Sequence, residues 1–246
     1  MLKSIVILYM LLLNSLFAET LYLESGFKRN SLVELYTSEG CSSCPPAEKY
    51  LNNLKNNENI WKNLFPVAFH VDYWDYIGWK DRYASKQFGQ RQSLYAKLKR
   101  TSTVYTPAFM VNGLSWRAGI FSDSLRDEKR SAGNLIVSVK GELIKARYKL
   151  NHKIPLKLNV ALLGMGLKTF IERGENEGRT AKHDFVVVGF KSVSSENLQW
   201  TTTLPELHYT QSKKYALVIW VSESDNPTPL QVVGSLLPSY KNIFNQ

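Results

Sequence analysis

The chain has 246 residues, 44% hydrophobic, 12% aromatic and 21% charged, enough apolar material for a sizeable core in one or two domains and unlike a disordered or collagen-like chain. Only two cysteines, Cys41 and Cys44, are present, which excludes a fold stapled by many disulfides. Lysine and arginine total 31 against 21 acidic residues, a net charge of +10, but the bases fall in short runs such as Lys97, Lys99 and Arg100 or Lys213 and Lys214. We therefore expect a basic solvated surface and no nucleic-acid partner.

Residues 1–18 have the order of a signal peptide: Lys3 gives a basic start, Ile5 to Leu13 is almost wholly apolar, and Asn14 to Ala18 ends in a small residue. No later run reaches the ~18 uninterrupted apolar residues of a membrane span. The expected location is the periplasm or the secreted space, with no stable transmembrane domain.

After a short linker, Leu32 to Tyr36 reads as a strand and runs into Thr37-Ser38-Glu39-Gly40-Cys41-Ser42-Ser43-Cys44. Ala47, Tyr50, Leu51 and Leu54 then recur at helical spacing, with Glu48 and Lys55 placed on the outer face. Phe65 to Tyr73 is the next strand, Lys80 to Arg100 suits one or two helices, and Tyr105 to Gly113 leads through a strand to an Asn-Gly turn. This is a β-α-β unit followed by a hairpin.

Near Arg130 the pattern changes. Leu135 to Val139, Ile144 to Leu150, Leu156 to Leu163, Phe185 to Phe190, Leu217 to Val221 and Gln231 to Leu237 read as serial strands with short polar connections. The expectation is an α/β domain over residues 30–130 followed by a separate antiparallel β-sandwich domain over 133–238. A β-edge or loop of the sandwich would then recognise or position a partner.

Cys41-Ser42-Ser43-Cys44 carries the sharpest chemistry. Two cysteines three positions apart at a helix start can close reversibly, and free amide N–H groups there would stabilise a thiolate. Cys41 is the candidate nucleophile and Cys44 the resolving thiol, acting on a cysteine-containing protein or a small disulfide with a redox partner that the sequence does not identify. Pro45 and Pro46 lack backbone N–H groups, so the helix is expected to bend or begin late and leave the thiols accessible. Two other readings stay open: a structural bridge, and copper or zinc held by both thiolates with a distant histidine. None of His70, His152, His183 or His208 lies at short spacing from the pair, and no cofactor motif is present.

These residues resemble the thioredoxin-like superfamily. LVELYTSEGCSSCPPAE at 32–48, HVDYWDYIGWKD at 70–81, YTPAFMVNG at 105–113 and GENEGR at 174–179 more closely resemble a DUF1223-like family of secreted bacterial proteins that joins a thioredoxin-like domain to a carboxy-terminal β-rich domain. The resemblance implies a cis bond before Pro107, with Thr106 preceding it, in a loop that faces the cysteines and offers backbone groups to an extended substrate; proline makes such a bond accessible. Gly40 stands where thioredoxins carry tryptophan, and Ser42-Ser43 replaces their glycine-proline pair, so neither the reducing nor the oxidising direction follows.

Asp72, Tyr73, Trp74, Asp75, Tyr76 and Trp79 form an unusual patch at the same strand edge. Tyr73 and Trp74 are candidates to flank a substrate, and an interdomain seam is the competing reading. Glu39 is expected to face solvent, and His70 to be a satisfied strand histidine. The glycines of 173–179 read as turns, and adjacency of His183 and Asp184 does not by itself make a hydrolytic triad with Cys41.

Overall fold

The computed structural model describes residues 20–116, 131–150, 155–209 and 211–237; the expected signal peptide lies outside them. In chain order the elements are β1 (Leu21–Glu24), β2 (Ser31–Thr37), α1 (Pro45–Asn53), β3 (Leu64–His70), α2 (Lys86–Lys97), β4 (Ala108–Val111), β5 (Leu114–Trp116), β6 (Asn134–Lys140) and β7 (Leu143–Lys149). Then follow β8 (Leu156–Met165), β9 (Leu167–Phe170), β10 (Thr180–His183), β11 (Val186–Ser195), β12 (Gln199–Thr203), β13 (Lys214–Glu223) and β14 (Pro229–Leu236).

β2 and β3 pair in parallel from Ser31 opposite Leu64 to Thr37 opposite His70, with α1 in the crossover between them. β4 runs antiparallel to β2, and β5 returns beside β4 through Asn112-Gly113, both at positive φ (51° and 79°), as the Asn-Gly signature predicts. Glycine is required there twice over, because a Cβ on Gly113 would stand 2.5 Å from Thr228 Oγ1.

The expected separation into two domains is not resolved. β11 joins β3 in parallel at Val186 opposite Ala68, Ala68 N–H donates to Phe185 O (2.8 Å), and one eight-stranded sheet runs β14-β13-β8-β11-β3-β2-β4-β5. The fold is a mixed α/β arrangement dominated by β-sheet. A second sheet, β1-β6-β7-β12, includes the amino-terminal β1, which pairs with β6. The first described strand thus belongs beside strands that follow it by more than a hundred residues.

Packing explains the fusion. Along β8, Leu156, Leu158, Val160 and Leu162 enter the core shared with Leu135, Val137, Ile144 and Trp200 of the second sheet. The alternate residues Ala161, Leu163 and Met165 enter the core shared with Leu51, Phe69 and Phe88. β13 divides likewise, with Leu217, Ile219 and Val221 on one side and Ala216, Val218 and Trp220 on the other. A strand buried on both faces is apolar throughout, so its sequence does not say which layers it separates. Strands β1, β9, β10 and β12 escaped the sequence reading because they are short and partly exposed, as in the buried-exposed alternation of β9.

Candidate functional site

The cysteines are joined in a disulfide, with Cα atoms 5.4 Å apart, immediately before α1. β2 delivers them: it ends at Thr37, and a tight turn in which Cys41 N–H donates to Ser38 O (3.1 Å) and Cys44 N–H to Cys41 O (3.2 Å) completes the loop. Pro45 and Pro46 occupy the first two helical positions, so Cys44 rather than Cys41 is the N-cap residue and both thiols precede the helix. The late start expected from the prolines is present. The amide field expected around the cysteines is reduced, because the N–H groups of Cys41 and Cys44 are bonded within the turn and Ser42 N–H donates to Glu175 Oε2 (3.2 Å).

Accessibility also differs from expectation. Cys41 is 1% exposed and Cys44 is fully buried, while Ser42 and Ser43 between them are exposed. The segment between β9 and β10 packs against the cysteine loop. Asn176, itself buried, donates from Nδ2 to the carbonyls of Glu39 (2.8 Å) and Cys41 (2.9 Å). The GENEGR phrase forms the turns its glycines suggest, with Gly174 and Gly178 at positive φ, and through Asn176 it also clamps the cysteine loop. Gly174 (φ 83°) allows its close approach, since a Cβ there would lie 3.2 Å from Trp79 Cβ.

Thr106-Pro107 is cis. Because Ala108 pairs with Tyr36, this bond lies at the sheet end from which β2 enters the cysteine loop. Trp74 Nε1–H donates to Thr106 Oγ1 (2.7 Å). Trp74 also accounts for Gly40: a Cβ at position 40 would stand 3.3 Å from Trp74 Cβ and 3.4 Å from its carbonyl oxygen. Tyr73 OH donates to Gln92 Oε1 (3.0 Å), whose amide reaches Tyr105 O (2.6 Å), and burial pushes the Tyr73 phenol up to about 12. The Tyr73–Trp79 patch thus packs on both the cis-proline loop and the 174–179 clamp.

Behind the disulfide lies a charged cluster the sequence reading did not assemble. Glu39 is buried, against the expectation of a solvent-facing side chain: its Oε2 accepts from Trp79 Nε1–H (2.8 Å), and its Oε1 faces His183 Nε2 at 3.1 Å. Glu48 turns inward from α1, with Oε1 accepting from Thr37 Oγ1 (2.7 Å) and Oε2 lying 3.3 Å from His183 Nδ1. Burial alone would lower the His183 pKa, but the Glu48 charge and the bonds to Glu39 and Glu48 outweigh it and raise the value to about 10. His70, on β3, sits 2.6 Å through Nδ1 from Asp81 Oδ2, while its buried Nε2 has no partner among the described residues. Burial opposes the Asp81 charge, yet the neighbouring His70 and backbone donors hold its carboxyl below the usual range.

Asp184 faces away from this cluster to pair with Lys55 (2.7 Å) and accept from Gly166 N–H (2.8 Å), so it does not orient His183 for hydrolysis. A cleft of about 610 Å³ opens beside the cluster, lined by Glu39, Glu48, Asn52, Asn176 and Lys182 among others. The sequence clue to these partners was modest: GENEGR and HD stood out as phrases, but nothing local showed that they meet residues 39–48.

A disulfide-forming CxxC pair between a strand and a helix is the active-site arrangement of thioredoxin-like thiol-disulfide exchange proteins. The chain belongs to the family described as "Protein of unknown function (DUF1223)", whose profile matches residues 32–222. Its fold is similar to the crystal structure of protein AGR_C_4864 from Agrobacterium tumefaciens, with a TM-score of 0.61 and 21% identity over 85% of this chain and 94% of that one. It is also similar to HBP35 of Porphyromonas gingivalis, with a TM-score of 0.57 and 14% identity over 87% of this chain and 76% of that one. No curated protein matches it. Among the described residues, no helix is long and apolar enough to cross a membrane.

Proposed function

We propose that this protein performs thiol-disulfide exchange in the periplasm or secreted space on a cysteine-containing protein or a small disulfide. The carrying observation is the Cys41–Cys44 disulfide at the start of α1, at the same sheet end as the cis Thr106-Pro107 bond. In the reducing direction the Cys41 thiolate attacks one sulfur of the client disulfide, forming a Cys41–client bond and releasing the other client sulfur as thiolate. Cys44, deprotonated, attacks the Cys41 sulfur, closes the internal bridge and releases the second client thiolate. The client gains two electrons and two protons, and the pair loses them. The reverse sequence oxidises a client dithiol.

Pro107 and Thr106 present the backbone against which an extended client lies, and Trp74, fixed by its bond to Thr106, forms one wall with Tyr73 beside it. Residues 30–130 supply the chemistry, and 133–238 supply the Asn176 clamp and His183, which shares Glu39 with Trp79. A Cys44→Ser variant challenged with an oxidised peptide should accumulate a mixed disulfide at Cys41, visible as a mass increase lost on reduction, whereas Cys41→Ser should not.

Burial of both cysteines favours a second reading, a binding module in which the bridge is structural. Under that reading neither variant traps a client, the parent shows no exchange with peptide or small disulfides, and partner binding survives replacement of both cysteines by serine.

A further inference from the structure

The cluster behind the disulfide contains more buried acid than its internal partners require. Glu39, Glu48 and Asp81 converge on His70 and His183, and the rings of the two histidines lie 5.1 Å apart and nearly perpendicular. Glu48, His70 and His183 each offer a donor atom within 4.8 Å of the other two. Donors bound at about 2 Å around a tetrahedral Zn²⁺ stand roughly 3.3 Å apart, so a modest contraction would bring all three onto one ion.

The remaining bonds assign the donors. His70 Nδ1 is held by Asp81, which leaves Nε2, a buried ring nitrogen without a partner among the described residues. His183 Nε2 is held by Glu39, which leaves Nδ1 on the side of Glu48 Oε2. Thr37 holds the other Glu48 oxygen. Each candidate ligand is thus anchored through the atom it does not offer, the pattern by which carboxylates and hydroxyls orient metal-binding side chains. A dication would face three buried carboxylates, Glu39, Glu48 and Asp81, and would take the place of a proton on the His183 Nδ1 that lies 3.3 Å from Glu48 Oε2. Two imidazoles and one carboxylate suit zinc and neighbouring first-row dications better than magnesium or calcium. The cleft lined by Glu39 and Glu48 supplies access.

We propose that Glu48, His70 and His183 form a binding site for one first-row divalent cation, with Asp81, Glu39 and Thr37 orienting the ligands and no cysteine taking part. The ion would tie α1, β3 and β10 together directly behind the cysteine loop. This site is independent of the thiol chemistry proposed above.

The test uses the untagged full chain in its disulfide form, where no thiolate is available, titrated with Zn²⁺ alone against a chelating dye. The expected result is one Zn²⁺ per chain, retained when both cysteines are replaced by serine. His70→Gln should weaken binding by at least the ~100-fold that loss of an orienting partner alone can reach, and Asp81→Asn by ~10–100-fold. No stoichiometric binding by the disulfide form, or unchanged binding in a folded His70→Gln variant, overturns the proposal. Zinc-edge X-ray absorption of the loaded, unsubstituted disulfide form needs no variant to fold: two imidazoles with a carboxylate support the site, and a shell of oxygen alone or containing sulfur overturns it.

Discussion

Two buried charge clusters lie along β2 and are built on different terms. Near its middle, Glu34 is saturated by Arg91, whose Nε and Nη2 donate at 3.2 and 2.9 Å, and by the hydroxyls of Tyr36 (2.7 Å) and Tyr95 (2.8 Å). Arg91 also reaches Pro227 O (3.0 Å) and lies over the rings of Phe69, Tyr95 and Trp220. Burial would lower the Arg91 pKa, but the Glu34 carboxylate raises it, so this cation stays charged. Beyond the strand's end, Glu39, Glu48 and Asp81 meet two histidines with a ring nitrogen left over. The first cluster is closed and ties β2 to the carboxy-terminal strands. The second is open to a further ligand and adjoins the cysteine pair.

The largest effect should come from breaking the closed cluster. Arg91→Met strands the Glu34 carboxylate in the core, and removing one partner of a buried pair costs about 3–5 kcal/mol. Urea unfolding followed by tryptophan fluorescence should show the loss, while exchange by the remaining folded protein stays at the parental rate. A loss below about 1 kcal/mol would mean that Glu34 finds water or a proton instead.

At the open cluster, Asn176→Ala removes the donor shared by the Glu39 and Cys41 carbonyls, and leaving buried carbonyls unpaired costs about 1–3 kcal/mol. The same variant should be reduced faster by dithiothreitol than the parent, because the clamp covers Cys41. Equal reduction rates would show that the clamp does not limit access.

Glu39→Gln keeps an acceptor for Trp79 but removes a negative charge next to the cysteine loop. The reduced thiolate form then gains relative to the disulfide, so the reduction potential should rise, by about 30 mV for each 1.4 kcal/mol gained. Equilibration with glutathione measures it; an unchanged potential would show that His183 already neutralises Glu39. The smallest effect belongs to Glu175→Gln, whose bond to Ser42 N–H is at the surface, and stability should change by no more than about 0.5 kcal/mol.

The local part of the site was legible. Strand, cysteine turn and proline-started helix follow from short-range periodicity and from residue types with restricted backbones, while the loop at Pro107 was implied by the family resemblance. Glu48 and Glu39 were misplaced for one reason: helical and turn geometry sets the direction of a side chain, but a charged residue reads as solvent-facing until its partner is known. Their partner, His183, lies 144 residues from Glu39.

By itself, then, the amino-acid sequence determined the redox-capable loop, the hairpin at Asn112-Gly113 and the strand-rich character of residues beyond 130. Tertiary structure alone decided that β11 docks on β3 to make one sheet, that β1 joins β6, and that Asn176 and His183 stand at the cysteines. β8 from Val160 and β13 from Tyr215 to Val221 are apolar on both faces, so their pattern fits a free-standing sandwich and a fused sheet equally well. The choice rests on long-range pairing and on the satisfaction of buried polar groups, which a linear pattern does not encode.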